Sequence, residues 1–213
     1  MRTDKQIKEI ISRLEDEYPL AECSLDYGKD YELLFATRLA AQCTDERVNK
    51  ITPILYSRYP TLEEIAKADI SDIEEIIRSC GFFHTKARDI IDCANAIIDR
   101  FGGKVPDNME DLTSLPGVGR KTANLVLGDV FGKPAVVVDT HCIRLTNRIG
   151  LVDNLKDPAK IETELRKILP PEKSSDFCHR MVLHGRAVCP ARKPLCEKCC
   201  IRHVCVFFDG AGK

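Results

Sequence analysis

The chain has 213 residues, of which 44% are hydrophobic and 31% charged, a size and composition typical of a globular protein with a substantial core in one or two domains. It contains no run of about 20 apolar residues, which a membrane-spanning helix would require, and residues 1–6 show no apolar signal region, so we expect a cytoplasmic protein without membrane partners. The formal net charge of −1 means that any polyanion would have to bind a local basic patch.

Apolar residues recur at helical spacing along almost the whole chain. Two stripes follow the i, i+3, i+4, i+7 pattern: Ile7, Ile10, Ile11, Leu14 and Tyr18, and later Ala87, Ile90, Ile91, Ala94, Ile97, Ile98 and Phe101. Capping-box patterns predict helix starts at Thr61, with Glu64, and at Ser71, with Glu74. Further helices are predicted over residues 31–42, 45–59, 121–130, 140–149, 158–169 and 174–188. Residues 135–138 are strand-like, but a buried connecting segment explains them equally well. The predicted fold class is all-α.

A glycine-containing turn stands out in residues 115–123, which read Leu-Pro-Gly-Val-Gly-Arg-Lys-Thr-Ala. Gly117 and Gly119 allow a tight turn whose backbone can come close to another molecule. An apolar helix follows, and the N–H groups at its start form a phosphate site without base preference. With a short helix over residues 107–114, the segment predicts a helix–hairpin–helix motif. A purely structural turn between packed helices is the alternative.

Lys121 and Asp139 are candidate functional side chains. Lys121 lies in the first turn of a predicted helix, where a cation opposes the helix dipole and Arg120 adds repulsion. Both effects disfavour the charged amine, as a nucleophilic lysine requires, although the side chain could simply contact a phosphate. Asp139 follows an apolar run and precedes a helix, so an N-cap is its ordinary explanation. Capping is compatible with a catalytic role.

Four cysteines near the end of the chain have the pattern Cys189-x6-Cys196-x2-Cys199-x5-Cys205. All-thiolate ligation and unequal spacing favour a [4Fe–4S] cluster. Structural zinc is the alternative, although zinc sites usually have two CxxC-type pairs and this segment has one. Cys200 is a possible alternative ligand to its neighbour Cys199. Disulfides or unrelated buried thiols are further alternatives. Eleven cysteines in a sequence without a signal peptide nevertheless favour a reducing compartment.

The loop between the first two of these cysteines is basic. It contains Arg192 and Lys193, and residues 186–202 carry five Lys or Arg against one acid, Glu197. In a chain with almost no net charge, this loop is the local patch that could contact a polyanion.

Together these segments resemble the endonuclease III family of DNA glycosylases, within the helix–hairpin–helix glycosylase superfamily. The likeness rests on residues 39–45 (Leu-Ala-Ala-Gln-Cys-Thr-Asp), 81–87 (Gly-Phe-Phe-His-Thr-Lys-Ala), the hairpin, 138–141 (Val-Asp-Thr-His) and the four cysteines. It implies a [4Fe–4S] cluster bound by Cys189, Cys196, Cys199 and Cys205. It also implies two helical domains: a six-helix domain over residues 24–134, and a cluster domain formed by residues 1–23 and 135–213.

The resemblance also implies roles for individual residues. Lys121 matches the catalytic lysine that attacks C1′ and forms an imine, and Asp139 matches the aspartate that stabilises positive charge on the sugar. Gln42 matches the residue that fills the gap left by a flipped nucleotide, and Phe82 stands where relatives place an apolar wedge, often Leu. The hairpin residues expected to contact phosphate are Leu115, Gly117 and Gly119, and the loop residues expected to contact the DNA backbone are Arg192 and Lys193.

The resemblance thus predicts a monomeric, bifunctional base excision repair enzyme. It would remove oxidised pyrimidines from double-stranded DNA and cleave the strand at the resulting abasic site. Two alternatives are a monofunctional adenine-type glycosylase and a non-catalytic DNA-binding module. Relatives of the adenine type lack the lysine and carry a further C-terminal domain, whereas a binding module would need neither Lys121 nor Asp139.

Overall fold

Two units make up the chain in the computed structural model, which describes residues 2–211. One, Cys23–Phe131, is continuous in sequence, and the other combines Met1–Glu22 with Gly132–Lys213. We refer to them as the continuous unit and the discontinuous unit. The domain limits proposed from sequence lie at residues 24 and 134.

Helices account for the regular structure of both units. Their bounds are α1 Asp4–Glu17, α2 Asp30–Leu39, α3 Asp45–Arg58, α4 Leu62–Ala66, α5 Ile70–Ile77, α6 Phe83–Phe101, α7 Met109–Thr113, α8 Arg120–Asp129, α9 Thr140–Ile149, α10 Pro158–Ile168, α11 Ser174–Ala187 and α12 Val206–Ala211. Short 3₁₀ helices cover Arg78–Cys80, Pro171–Lys173, Cys196–Lys198 and Arg202–Val204. Residues 2–211 contain no β-strand, so the all-α prediction is confirmed. No helix in that range combines the length and apolar character needed to cross a membrane.

The helix starts show which capping patterns operate. At Thr61 the predicted capping box is present, with the Thr61 hydroxyl bound by the Glu64 N–H. The second prediction was wrong, because α5 begins at Ile70 and its N-cap is Asp69. The Asp69 carboxylate accepts hydrogen bonds from both the N–H and the hydroxyl of Ser71, at 2.8 and 2.7 Å. Because the Asp69 carboxylate already caps the helix two residues earlier, Ser71 lies inside the first turn and is not the N-cap.

The continuous unit is built around the long helix α6. Helices α2, α4 and α5 pack against it, and its predicted apolar stripe is buried at Ala87, Ile90, Ala94 and Ile97. Helices α7 and α8 pack together as the two arms of the predicted hairpin, and α8 also packs against α2.

The discontinuous unit packs α1 and α9 against α11. The predicted stripe of α1 is buried at Ile7, Ile10, Ile11 and Leu14. Residues 135–138 form the buried connecting segment rather than a strand, and the Ala135 N–H donates to the Ser174 hydroxyl at 3.1 Å. This anchored segment leads directly to Asp139 at the start of α9.

Candidate functional site

The hairpin turn requires glycine at position 117 for two reasons. Gly117 has a φ of +71°, and a Cβ added there would lie 2.9 Å from the Cβ of Asp89 on α6. Asp89 is itself fixed by Arg38 of α2, whose Nε and Nη2 lie 2.6 and 2.5 Å from the Asp89 Oδ2. The turn is therefore held closely against α6 by a side chain that cannot easily move away.

Gly119 is the N-cap of α8, and it leaves the start of this helix open to a ligand. Its backbone is extended, with φ −94° and ψ 172°, and no side chain caps the helix. A Cβ at this position would meet nothing within 4 Å. The first N–H groups of α8 thus have the exposed setting that suits a phosphate oxygen.

Leu115, which is predicted to contact phosphate, has an enclosed side chain and a paired amide. Its side chain is only 3% exposed, its N–H donates to the Leu112 carbonyl, and its carbonyl accepts from Val118, each at 3.2 Å. Leu115 therefore anchors the turn from inside the core. Its contact to phosphate stays a prediction, and such a contact would come from the backbone because the side chain is enclosed.

Lys121 is exposed at the second position of α8. It follows Arg120, the first residue of that helix. Lys121 belongs to the continuous unit, whereas Asp139 belongs to the discontinuous unit.

Asp139 is the N-cap of α9, with its Oδ1 accepting the Cys142 N–H at 2.7 Å. The predicted capping role is confirmed. The residue is half-buried and follows the enclosed run 135–138, so its carboxylate is held at a defined place by both flanking elements.

Gln42 and Phe82 are brought together although they lie far apart in sequence. An open pocket of about 460 Å³ is lined by Arg38, Ala41, Gln42, Phe82, Thr85 and Lys86. Gln42 and Phe82 are both exposed, and both have left-handed backbones, with φ of 57° and 48°. Helix α2 ends at Leu39 rather than at Gln42 as predicted. Ala40 and Ala41 form a turn, in which the Ala41 N–H donates to the Arg38 carbonyl at 3.3 Å, and the left-handed Gln42 cannot continue a right-handed helix.

The four predicted cysteine ligands line one pocket, whereas Cys200 is absent from its lining. Burial raises the pKa of the Cys199 thiol to about 12, and the neighbouring thiols of Cys200, Cys205 and Cys189 act in the same direction. Across residues 2–211, no three His, Cys, Asp or Glu side chains converge closely enough to hold a single metal ion.

Comparison with known proteins decides the family. Residues 35–171 match the model of the HhH-GPD superfamily base excision DNA repair protein. Endonuclease III of Synechocystis sp. is 50% identical over 198 residues, covering 92% of this chain and 90% of that protein. The chain belongs to the endonuclease III family. Endonuclease III of Escherichia coli is 38% identical over 199 residues, covering 93% of this chain and 94% of its own length. A solved structure of a trapped endonuclease III–DNA covalent intermediate matches with a TM-score of 0.94 at 38% identity, over 100% of both chains.

Two arginines of this endonuclease III family member were missed from sequence. Arg148 donates to the Cys189 sulfur at 3.2 Å and to the carbonyls of Pro190 and Ala191 at 2.9 and 2.6 Å. Arg144 donates to the Cys189 carbonyl at 3.1 Å. The two residues lie four apart on one face of α9, a spacing that is visible in the sequence but does not reveal the carbonyl partners.

These arginines hold the base of the basic loop. Arg192 and Lys193 come directly after the carbonyls bound by Arg148, and both side chains are exposed. The backbone of the loop is thus held in place while its two cationic side chains remain exposed to solvent. Such side chains are suited to contact a phosphate backbone.

Proposed function

We propose that this chain removes oxidised pyrimidines from double-stranded DNA through a covalent intermediate on Lys121, and then cleaves the strand by β-elimination. Membership of the endonuclease III family makes it a base excision repair DNA glycosylase and abasic-site lyase. The proposal adds the residues and the class of lesion. The observation that carries it is an exposed lysine in the first turn of the uncapped helix that follows the hairpin.

In the proposed reaction, the neutral amine of Lys121 attacks C1′ of the damaged nucleoside. The glycosidic bond breaks, and the base leaves with its electron pair and takes up the proton that the attacking nitrogen releases. The C1′–O4′ bond of the sugar then breaks as the nitrogen lone pair forms the C1′=N bond, and O4′ takes up a proton, which leaves a protonated imine. The imine acidifies the C2′ hydrogen. Its removal as a proton expels the 3′ phosphate, which cuts the strand. The solved covalent intermediate of an endonuclease III with DNA supports this route for a relative of the same fold and family.

Asp139 acts by charge in this proposal. A carboxylate held by its own N-cap bond stabilises positive charge as it develops on the sugar, without having to reorganise at the moment of reaction. Since the cap uses a side-chain oxygen and a backbone N–H, an asparagine could preserve the cap while removing the charge.

Binding to DNA is divided between the two units in this proposal. In the continuous unit, the backbone at Gly117 and Gly119 binds phosphate, Gln42 fills the gap left by the extruded nucleotide, and Phe82 wedges the neighbouring bases apart. In the discontinuous unit, Arg192 and Lys193 contact the backbone without reading sequence. The partner is DNA containing a damaged base or an abasic site, bound by a single copy of the chain in the cytoplasm.

Cys189, Cys196, Cys199 and Cys205 would hold a [4Fe–4S] cluster. The residues fit this group, because four thiols line one pocket and iron–sulfur clusters take Cys₄ ligation. The cluster would supply a covalent cross-link for the C-terminal segment. The reaction steps belong to Lys121 and Asp139.

Borohydride trapping on duplexes with a single oxidised pyrimidine tests the proposal. The unsubstituted chain should become covalently joined to the DNA, whereas Lys121→Gln should give neither trapping nor strand cleavage and should still bind duplex. Asp139→Asn should slow base excision by about 100-fold or more and still cleave a preformed abasic site, since the amine remains. Lys104→Gln, a substitution of another exposed lysine in the same unit, is the matched control and should behave like the parent. Undiminished trapping by Lys121→Gln would mean that another amine is the nucleophile.

A further inference from the structure

Lys86 is an unusual residue in the continuous unit because a full lysine side chain is buried, with 1% of its surface exposed. Its ammonium donates three hydrogen bonds of 2.8 Å each, to the carbonyls of Leu39, Ala41 and Cys80. Three donors are all that an ammonium has. Burial lowers the pKa of Lys86, and the three carbonyl dipoles oppose that effect by stabilising the charge.

The three carbonyls belong to two different loops. Leu39 ends α2, and Ala41 immediately precedes Gln42. Cys80 ends the 3₁₀ helix Arg78–Cys80, just before Gly81 and Phe82. One cation therefore joins the C-terminal ends of two helical elements, where unpaired carbonyls and the negative end of the helix dipole favour a positive charge.

Both loops present an exposed side chain from a backbone that a non-glycine residue rarely adopts. Gln42 has φ 57° and Phe82 has φ 48°, and Phe82 is 68% exposed. Such conformations persist only where the surroundings hold them. Lys86 is bonded one residue before Gln42 and two residues before Phe82. Its own N–H also donates to the Phe82 carbonyl at 3.1 Å.

We propose that Lys86 is a positioning residue for nucleotide extrusion, whose ammonium ties the loop of Gln42 to the loop of Phe82 so that both side chains enter the DNA at one place. The inference rests on the proposed insertion roles of Gln42 and Phe82, and it adds the device that makes them act together. Lys86 touches neither the substrate nor the reacting atoms.

The test replaces Lys86 with Met, which keeps an unbranched stem and removes all three donors. The probe is a duplex with 2-aminopurine opposite a tetrahydrofuran abasic analogue, whose fluorescence rises when the opposite base is unstacked. Lys86→Met should lose most of this rise and should reduce single-turnover base excision in a lesion duplex at least 30-fold. Borohydride trapping on a single-stranded abasic oligonucleotide should stay within twofold, because no stacked neighbour has to be displaced there.

A buried substitution in the same helix controls for loss of stability. Ile90→Ala removes a core side chain of α6 that is 1% exposed, one turn beyond Lys86, and should leave the fluorescence rise intact once the protein is folded. If Lys86→Met does not fold, Lys86→Gln takes its place, since it fills a similar volume and donates two hydrogen bonds; partial recovery of the fluorescence rise is expected. Equal losses on duplex and single-stranded substrates, or a normal fluorescence rise in Lys86→Met, would overturn the inference.

Non-additivity separates this inference from the proposed function. In a chain that already carries Gln42→Ala and Phe82→Ala, Lys86→Met should change the fluorescence rise and the excision rate by less than twofold, because nothing is left to position. If Gln42→Ala and Phe82→Ala have no effect by themselves, the insertion roles in the proposed function are wrong. If they abolish the rise while Lys86→Met retains it, only the inference about Lys86 fails.

Discussion

The hairpin and the cysteine segment both connect two helices, but they are stabilised in different ways. In the hairpin, Leu112, Leu115 and Ala123 are buried, and the turn packs against Asp89. In residues 189–205, Ile201 and Val204 are the buried side chains, and the regular structure consists of two 3₁₀ helices of three residues. The hairpin is fixed by the core of its own unit, whereas the cysteine segment has little apolar surface to bury.

The difference shows two ways of building a rigid site. A turn that packs against a core is organised before any ligand binds, and its conformation is encoded by neighbouring side chains. A segment of half-buried thiols depends on the group that the thiols hold, because metal binding and folding are then one process. Substitutions should therefore act locally in the hairpin and over a whole segment around the cysteines.

The largest effect is expected for Cys199→Ala. The proposed [4Fe–4S] cluster would make the purified protein yellow-brown. Loss of one of its ligands should abolish this colour, lower the iron content and make the chain beyond about residue 188 sensitive to proteases. The continuous unit should retain its protease resistance. Iron analysis combined with limited proteolysis and mass spectrometry measures both outcomes.

Cys200→Ala is the matched control, because Cys200 is also half-buried and adjacent but does not line the pocket. It should keep colour and protease resistance. Colourless parent protein containing stoichiometric zinc would replace the iron–sulfur assignment with a zinc site, and equal damage from both substitutions would show that Cys200 is a ligand.

An intermediate effect is expected at the hairpin, where two glycines can be compared. Gly117→Ala forces a left-handed alanine against Asp89 and should lower the free energy of unfolding by about 1–3 kcal/mol. Position 119 has an extended backbone and open space around it, so Gly119→Ala should change the free energy of unfolding by less than about 1 kcal/mol.

DNA affinity should nevertheless fall in Gly119→Ala, because the new methyl group would stand where the proposed phosphate contact lies. Thermal unfolding and duplex binding separate the two effects; unchanged affinity in Gly119→Ala would remove this helix start from the DNA interface.

The smallest effect is expected for Arg192→Ala and Lys193→Ala. Each should weaken binding to all duplexes by a similar factor and reduce the slope of log K against log salt by about 1. Fluorescence anisotropy over a salt series, on undamaged and lesion duplexes, measures this. Weakening confined to one kind of lesion would contradict the assignment, since it would mean that the loop reads bases.

The sequence predicts most of the helices because their signals are local. The stripe from Ala87 to Ile97 and the cap at Thr61 involve residues within a few turns of each other, and the structure confirms both. The start of α5 was misplaced because Asp69 and Ser71 are both good caps, and which one operates depends on the backbone between them. The end of α2 was misplaced because nothing in the sequence marks Gln42 as left-handed.

The candidate functional residues divide in the same way: some can be recognised from the sequence and others cannot. Lys121, Asp139 and the four cysteines stand out because their residue types carry chemistry. Lys86 does not, since a lysine is ordinarily exposed and its partners are backbone carbonyls brought together only by the fold. The burial of the Leu115 side chain likewise depends on a core formed by distant segments, so the hairpin motif alone does not reveal it.

The N-cap bond of Asp139 has a consequence for how this chain can lose its activity during evolution. One carboxylate both starts α9 and serves the proposed reaction, yet a helix start accepts Asn about as well as Asp. A change of Asp to Asn at this position is therefore nearly silent for folding. Quality control in the cell, which removes unstable proteins, would not remove such a variant. It would accumulate to normal levels, occupy damaged sites without excising the base, and shield them from the active copies beside it.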